Sequence, residues 1–443
     1  MRRRRHGPLG VWMNGRRVGR LTAETSGAIH FRYDPDWLAW EGAMPISLSL
    51  PLREEAWNGP PVLNVFDNLL PDLTEIRRRM AERVGAEGSD PFSLLAAIGR
   101  DCVGALQFLP DEEAPGPLNH IDAEPYSEDQ VADLIGSLGR SPLGVTGDDD
   151  FRISLAGAQE KTALLRRDGQ WFLPHGSTPT THILKPTIGM VDGFDLSTSV
   201  ENEHLCMRLA SAFGLPVAAT EMATFGGQKV LVVKRFDRLW LPDGRLIRLP
   251  QEDICQATST PSARKYESKG GPGAIAVLNL LLGSDEPGKD RQTVLRALIV
   301  FWLLGATDGH AKNFSLSLRP GGAYALTDLY DILSTQPLVA AGALRLAQFK
   351  MSMAMGDNRN YRIDTILPRH FEQTAAAAKM PRTVARELFE DLADRVPKAL
   401  EAVLESLPID FPQSVSEPIA TGIRHRLSLL PGAGGDAGSH SAL

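Results

Sequence analysis

Hydrophobic patterning changes character near residue 250, and the two halves cannot share one architecture. Before that point, short apolar segments alternate with tight-turn dipeptides. The segments 11–13 and 16–18 flank Asn14-Gly15, and 161–165 and 171–173 flank Asp168-Gly169. Both are hairpin signals, because Asn-Gly and Asp-Gly adopt the positive φ angles that a two-residue β-turn demands. Further strands are expected at 31–33, 46–50, 182–185 (closed by Pro186) and 229–233. Helices interrupt this pattern across 62–84, broken at Pro71, and at 127–138, with Ser127 as N-cap and Gln130 completing a capping box. A third spans 201–213, with Leu205, Leu209 and Phe213 on one face. From Gln251 onward helices dominate, apart from strand-like runs at 314–318 and 324–326.

The expected class is therefore α+β, with a β-rich N-terminal lobe that carries an extra N-terminal β-rich subdomain, and an all-helical C-terminal lobe. The segments are 1–110 (β-rich), 111–150 (linker and short helix), 151–250 (β-rich lobe core), 251–430 (helical lobe) and 431–443 (a Gly- and Ser-rich tail, read as disordered). The stretch 111–125 is rich in Asp, Glu and Pro and reads as linker. A two-lobed enzyme with its site in a crevice fits this order.

Bulk properties narrow the function classes. The chain has 443 residues, 43% of them hydrophobic, enough for two or three domains with a sizeable core. A net charge of −7 argues against a surface coated for nucleic acid. Cys102, Cys206 and Cys255 are scattered without metal-ligand spacing, which suits a reducing, cytoplasmic setting. The longest apolar run, 297–304, is far shorter than the ~18 residues of a membrane span, so no membrane association is expected. Arg2 to Arg5 are not followed by the apolar segment of a signal peptide.

The most telling chemistry is Asp308-Gly309-His310-Ala311-Lys312-Asn313, between the apolar helix candidate 293–306 and the strand-like run from Phe314. An Asp and an Asn five residues apart on a helix-to-strand turn can share one small space. The Asp can take a proton from an attacking hydroxyl, and the Asn can hold a divalent cation; this is the catalytic-loop spacing of protein kinases. Asp331 follows a β-like run, where a kinase keeps its metal-binding Asp. A metal-hydrolase reading would make Asp308, His310 and Asp331 ligands, but no second His or carboxylate stands at ligand spacing nearby.

Other residues fit a nucleotide site or a blander role. Small residues at Ala156, Gly157 and Ala158 would let backbone amides approach an anion, or form an ordinary loop entering a strand. Lys185, at a strand end, could neutralise phosphates and pair with Glu201 or Glu203, or simply snorkel. The strand exit Lys234-Arg235-Phe236-Asp237 could be a hinge that meets adenine, with Asp237 reaching a ribose hydroxyl, or a surface salt-bridged turn.

Taken in order, seven blocks resemble the HipA family of toxin kinases: 152–162, 181–185, 235–238, 249–253, 265–273, 305–314 and 330–332. The similarity runs from about 151 to 411, and is weaker over the N-terminal part. The resemblance implies a kinase-like fold and ATP- and Mg²⁺-dependent phosphorylation of a protein serine, with glutamyl-tRNA synthetase as the family's target. It implies Asp308 as catalytic base and Asn313 and Asp331 as metal ligands. ATP would be bound by Ala156, Gly157, Ala158, Gln159, Glu160, Lys161, Lys185, the hinge residues Lys234, Arg235, Phe236 and Asp237, and also His310, Asn313 and Asp331. Ser154 matches the family's autophosphorylated serine, and a phosphate there would be repelled from the nucleotide and eject the loop. A HipB-like helix-turn-helix antitoxin is the implied partner, with operator DNA engaged mainly through it.

This chain departs from the family at two places. Lys234 stands where relatives have Glu. The helix following 368–371, which in the family touches operator DNA, keeps only Lys379 and nearby Arg382 as possible DNA contacts. Two other readings remain: a catalytically silent co-repressor subunit, and a small-molecule kinase on the same scaffold.

Overall fold

The computed structural model describes residues 7–24, 26–144, 153–157 and 159–431. The Arg2 to Arg5 run, Ala158 and nearly all of the 431–443 tail lie outside the described residues. The chain forms two compact units: 1–188 with 218–265 and 314–327, and 189–217 with 266–313 and 328–443. A contiguous boundary at 250 is thus crossed several times.

Among the described residues, the first unit holds two smaller antiparallel sheets and two large ones. One runs Trp57–Asn58, Ile29–Tyr33, Arg16–Ala23, Leu9–Met13, Leu106–Pro110. Its hairpin forms at Asn14-Gly15, where φ is +45° and +78°, the left-handed pair of a type I′ turn. Phe31, Phe66 and Phe108 stack edge to face beneath it, with centroids 5.8 and 5.5 Å apart. The other sheet runs Thr220–Phe225, Gln228–Lys234, His182–Pro186, Thr162–Arg167, Gln170–Pro174, Ala123–Tyr126. Asp168 and Gly169 turn its hairpin at φ +51° and +80°. The smaller ones are a three-stranded sheet, Gln251–Asp253, Ser315–Leu318, Tyr324–Leu326, and the hairpin Arg238–Trp240 with Leu246–Arg248.

The end of the expected linker is itself a strand. Ala123–Tyr126 pairs with Gln170–Pro174 at the sheet edge, the one place in a sheet where Pro125 can sit without breaking a ladder. The expected strand at 46–50 is not one. Its alternating Ile46 and Leu50 are buried, but its polar groups bond elsewhere: the Leu48 amide donates to Glu252 Oε1 at 2.8 Å, and the Ser47 and Ser49 hydroxyls donate to the Gln256 carbonyl. Pro45 and Pro51 bracket the segment and limit ladder pairing on either side. The capping box at Ser127 and Gln130 forms with both bonds.

The second unit is built around the helix Pro287–Leu304. From Val294 onward it is buried almost all round, and Trp302 packs against Phe371, centroids 5.7 Å apart. Ser199–Ala212, Pro368–Ala377, Arg382–Glu405 and Gln413–Leu427 are the other long helices. Two short hairpins also belong to this unit, Gly189–Val191 with Phe194–Leu196 and Lys350–Met355 with Asn360–Arg362, so it is mostly but not wholly helical. Among the described residues, no helix is long and apolar enough to cross a membrane.

Candidate active site

In the second unit the long helix stops at Gly305, whose φ of +69° makes the left-handed turn that ends helices. The chain then enters Thr307-Asp308-Gly309-His310. Here the backbone is tied down: the Asp308 carbonyl accepts from the His310 amide and from Asn313 Nδ2, each at 2.8 Å. With its nitrogen committed, the oxygen of the Asn313 amide is the end able to ligate a cation. Gly309 is required for space, since a Cβ there would sit 2.6 Å from the Phe301 ring. Asn313 and His310 are buried, while the Asp308 side chain is 57% exposed and open to a second molecule.

Asp331 sits on the second acidic turn at φ +61°, a left-handed conformation uncommon for a residue with a side chain. The flanks hold it there. The Leu329 amide donates to the Pro216 carbonyl at 2.9 Å, Tyr330 donates its hydroxyl to the Lys312 carbonyl at 2.8 Å, and Asn202 bonds both the amide and the carbonyl of Ser334. Strain of this kind persists only where surrounding structure over-determines it, and it clusters at functional sites. Asn313 and Asp331 offer hard oxygens only, a donor set suited to Mg²⁺ arriving with phosphates and keeping its waters. Among the described residues no three His, Cys, Asp or Glu side chains converge as a metal cage, so the hydrolase arrangement of Asp308, His310 and Asp331 is not formed.

In the first unit, Lys185 lies in the strand His182–Pro186, opposite Leu231, and is buried. The small-residue loop is docked. The Ser154 amide donates to the Asp101 carbonyl, and its hydroxyl donates to the Leu69 carbonyl at 2.8 Å, leaving Ser154 fully buried. Gly157 has φ +106°, and Lys161 Nζ donates back to the Ala156 carbonyl at 2.9 Å. Gln159 donates to the Pro186 carbonyl at 3.1 Å, joining the loop to the strand that carries Lys185, and Glu160 pairs with Arg79.

The hinge expectation needs correction. Asp237 does not present its carboxylate for a ribose. Arg235 holds it bidentately at 2.9 and 2.8 Å, and the Gly104 amide donates to Oδ2 at 2.8 Å. Arg235 and Asp237 belong to a buried network with Asp101, Arg238, Arg248 and Thr180. The amides of Lys234 and Arg235 donate to the carbonyls of Ala219 and Thr181, so these two donors are not available to a base. Lys234 itself is exposed. Asp101, the hub of this network, carries no local sequence signal, since its arginine partners Arg235, Arg238 and Arg248 lie 134, 137 and 147 positions away. Tyr266 lies within the resembling block 265–273 without a local signal for a site role, yet its hydroxyl donates to Asp308 Oδ1 at 2.8 Å.

Lys379 is exposed at φ +58° just past the helix Pro368–Ala377, and Arg382 is exposed at the start of the next. Nearby Arg386 is neutralised by Glu372, which leaves little basic surface there.

Comparison with known proteins fits these features. Residues 9–109 match the HipA N-terminal domain and residues 153–400 match the HipA-like C-terminal domain. The protein Y4mE of Sinorhizobium fredii is 35% identical over 401 residues, 90% of this chain and 92% of that one. The serine/threonine-protein kinase toxin HipA of Shewanella oneidensis is 27% identical over 413 residues, 90% of this chain and 89% of that one. A solved Shewanella oneidensis MR-1 complex of HipA, HipB and operator DNA matches with a TM-score of 0.78 at 24% identity, covering 95% of this chain and 96% of that chain.

Proposed function

This chain belongs to the HipA family, and we propose that it is an ATP- and Mg²⁺-dependent protein serine/threonine kinase, the toxin of a module with a HipB-like antitoxin. The observation that carries this reading is the Asp308 loop: an exposed carboxylate on a rigid turn, with Asn313 bonded to that turn's own carbonyl. Asp308 accepts the proton of an acceptor hydroxyl while its oxygen bonds to the γ-phosphorus. The bond from that phosphorus to the β–γ bridging oxygen breaks, and its electron pair leaves with ADP. Asn313 and Asp331 would hold the Mg²⁺, which when bound would supply positive charge against the phosphates. Lys185 and residues 156–161 are the groups proposed to bind phosphate oxygens.

Ser154 is the proposed autophosphorylation site. Because it is buried here with its hydroxyl on the Leu69 carbonyl, modification requires the loop to undock. Once out, a phosphate of about −1.5 to −2 charge cannot return to a buried position, which would hold the loop away from the nucleotide. The proposed target is glutamyl-tRNA synthetase, in the cytoplasm. DNA engagement would rest mainly on the antitoxin, since Lys379 and Arg382 stand nearly alone.

The test is transfer from γ-labelled ATP, with Mg²⁺, to purified glutamyl-tRNA synthetase by the wild type and by Asp308→Asn. Label on the synthetase that disappears in the variant is expected. Label on neither protein would favour a silent co-repressor, and label only on a small molecule would favour a metabolite kinase.

A further inference from the structure

The phenol of Tyr266 touches the very group assigned as base. Its hydroxyl donates to Asp308 Oδ1 at 2.8 Å. Its ring stands edge-on to His310, centroids 5.0 Å apart, and Lys269 Nζ lies 5.5 Å from its centroid. The other carboxylate oxygen, Asp308 Oδ2, is 3.9 Å from His310 Nε2, beyond hydrogen-bond reach. Beside this pair is a cavity of about 370 Å³ bordered by Tyr266, Thr307, Asp308, Lys350, Ser352 and Tyr361. It is a partly open cleft, with a volume at the low end of the range for ligand sites, about 300–1,000 Å³. Its walls are fixed: Ser352 donates to the Thr307 carbonyl at 2.6 Å, and Arg359 donates to the Tyr361 hydroxyl at 2.9 Å.

An exposed aspartate on a turn is free to rotate about its side-chain bonds, and a base that rotates is a poor base, because proton transfer needs one geometry. A single donor on one oxygen removes that freedom without occupying the other. We propose that Tyr266 is a positioning residue for phosphoryl transfer. Its hydroxyl fixes the Asp308 carboxylate through Oδ1 and leaves Oδ2 for the acceptor hydroxyl, which enters through this cavity. The inference rests on the reading of Asp308 as base.

The experiment compares wild type, Tyr266→Phe and Asp308→Asn by the rate of self-labelling from γ-labelled ATP with Mg²⁺, at varied ATP. Phenylalanine keeps the ring against His310 and removes only the hydroxyl. The expected result is a fall in kcat of about 10- to 100-fold, the worth of one hydrogen bond to a charged group, with the KM for ATP and the thermal midpoint unchanged. A rate within about twofold of wild type would overturn the proposal. So would a loss accompanied by a matching rise in KM or a lowered midpoint, because that is a structural effect. If Asp308→Asn labels itself as fast as wild type, the base assignment fails, and the role of Tyr266 fails with it.

Discussion

Replacing Asp101 by asparagine is expected to unfold much of the first unit's stability, although the two side chains have the same shape. Asp101 is 2% exposed and accepts five hydrogen bonds. Oδ1 takes Arg238 and Arg248 at 2.8 and 2.9 Å; Oδ2 takes the Thr180 amide and hydroxyl at 3.1 and 2.7 Å, with Arg235 at 3.4 Å. Burial pushes the carboxyl up, but the guanidiniums of Arg238, Arg248 and Arg235 overcome that and hold it well below the usual carboxylate range. Its contribution is therefore complete above an unfolded value of about 4 and is lost only in stronger acid, as pH falls through the depressed folded value. An asparagine removes the charge and turns an NH₂ group toward donors. Arg235 and Arg238 then retain Asp237, while Arg248 loses the carboxylate it pairs with. Removing one partner of a buried ion pair costs about 3–5 kcal/mol. For a unit of this size that lowers the melting temperature by roughly 10 °C, at about 2–4 °C per kcal/mol. Scanning calorimetry at pH 7 on wild type and Asp101→Asn measures it. A loss below about 1 kcal/mol would mean that the cluster is hydrated or rearranges, and the reasoning from buried charge would be wrong.

Three further outcomes are expected. Burial pushes the Glu252 carboxyl up to about 8 against the bonds from Ser47 and Leu48, so the proton is bound more tightly in the folded state and stability declines as pH rises from about 4.5 to 8; Glu252→Gln should flatten that decline, by a few kcal/mol at pH 8 in urea titrations. Ser154→Ala should remove most self-phosphorylation by mass spectrometry while costing about 1 kcal/mol or less, since one bond to the Leu69 carbonyl is lost; unchanged phosphate would place the acceptor elsewhere. Gly309→Ala should displace the Asp308 loop from the Phe301 ring and lower kcat at least tenfold with nucleotide binding retained, which single-turnover labelling and calorimetric titration separate.

Local rules made much of this protein readable from its residues. Asn14-Gly15 and Asp168-Gly169 select one turn type, so both hairpins were legible, as was the capping box at Ser127. The Asp308–Asn313 spacing sits within one turn, where the backbone itself brings the groups together. The stretch 46–50 misled because alternation marks burial and not pairing; the donors and acceptors that satisfy it come from residues some 200 positions away.

Asp237 is the sharpest case of what sequence alone left open. Its neighbours on the chain suggested a nucleotide contact, yet once Asp101 draws Arg235 and Arg238 into the interior, those two arginines and the Gly104 amide, 133 positions away, commit its oxygens to structure. Tyr266 is the converse, a residue 42 positions from Asp308 that only the folded chain places on its carboxylate. Turn chemistry and short-range spacing were determined by the sequence by itself, because they depend on a few adjacent dihedrals. Which charged groups are buried together, and which are left exposed to meet a substrate, was decided only by tertiary structure, because desolvation is a property of everything packed around a group.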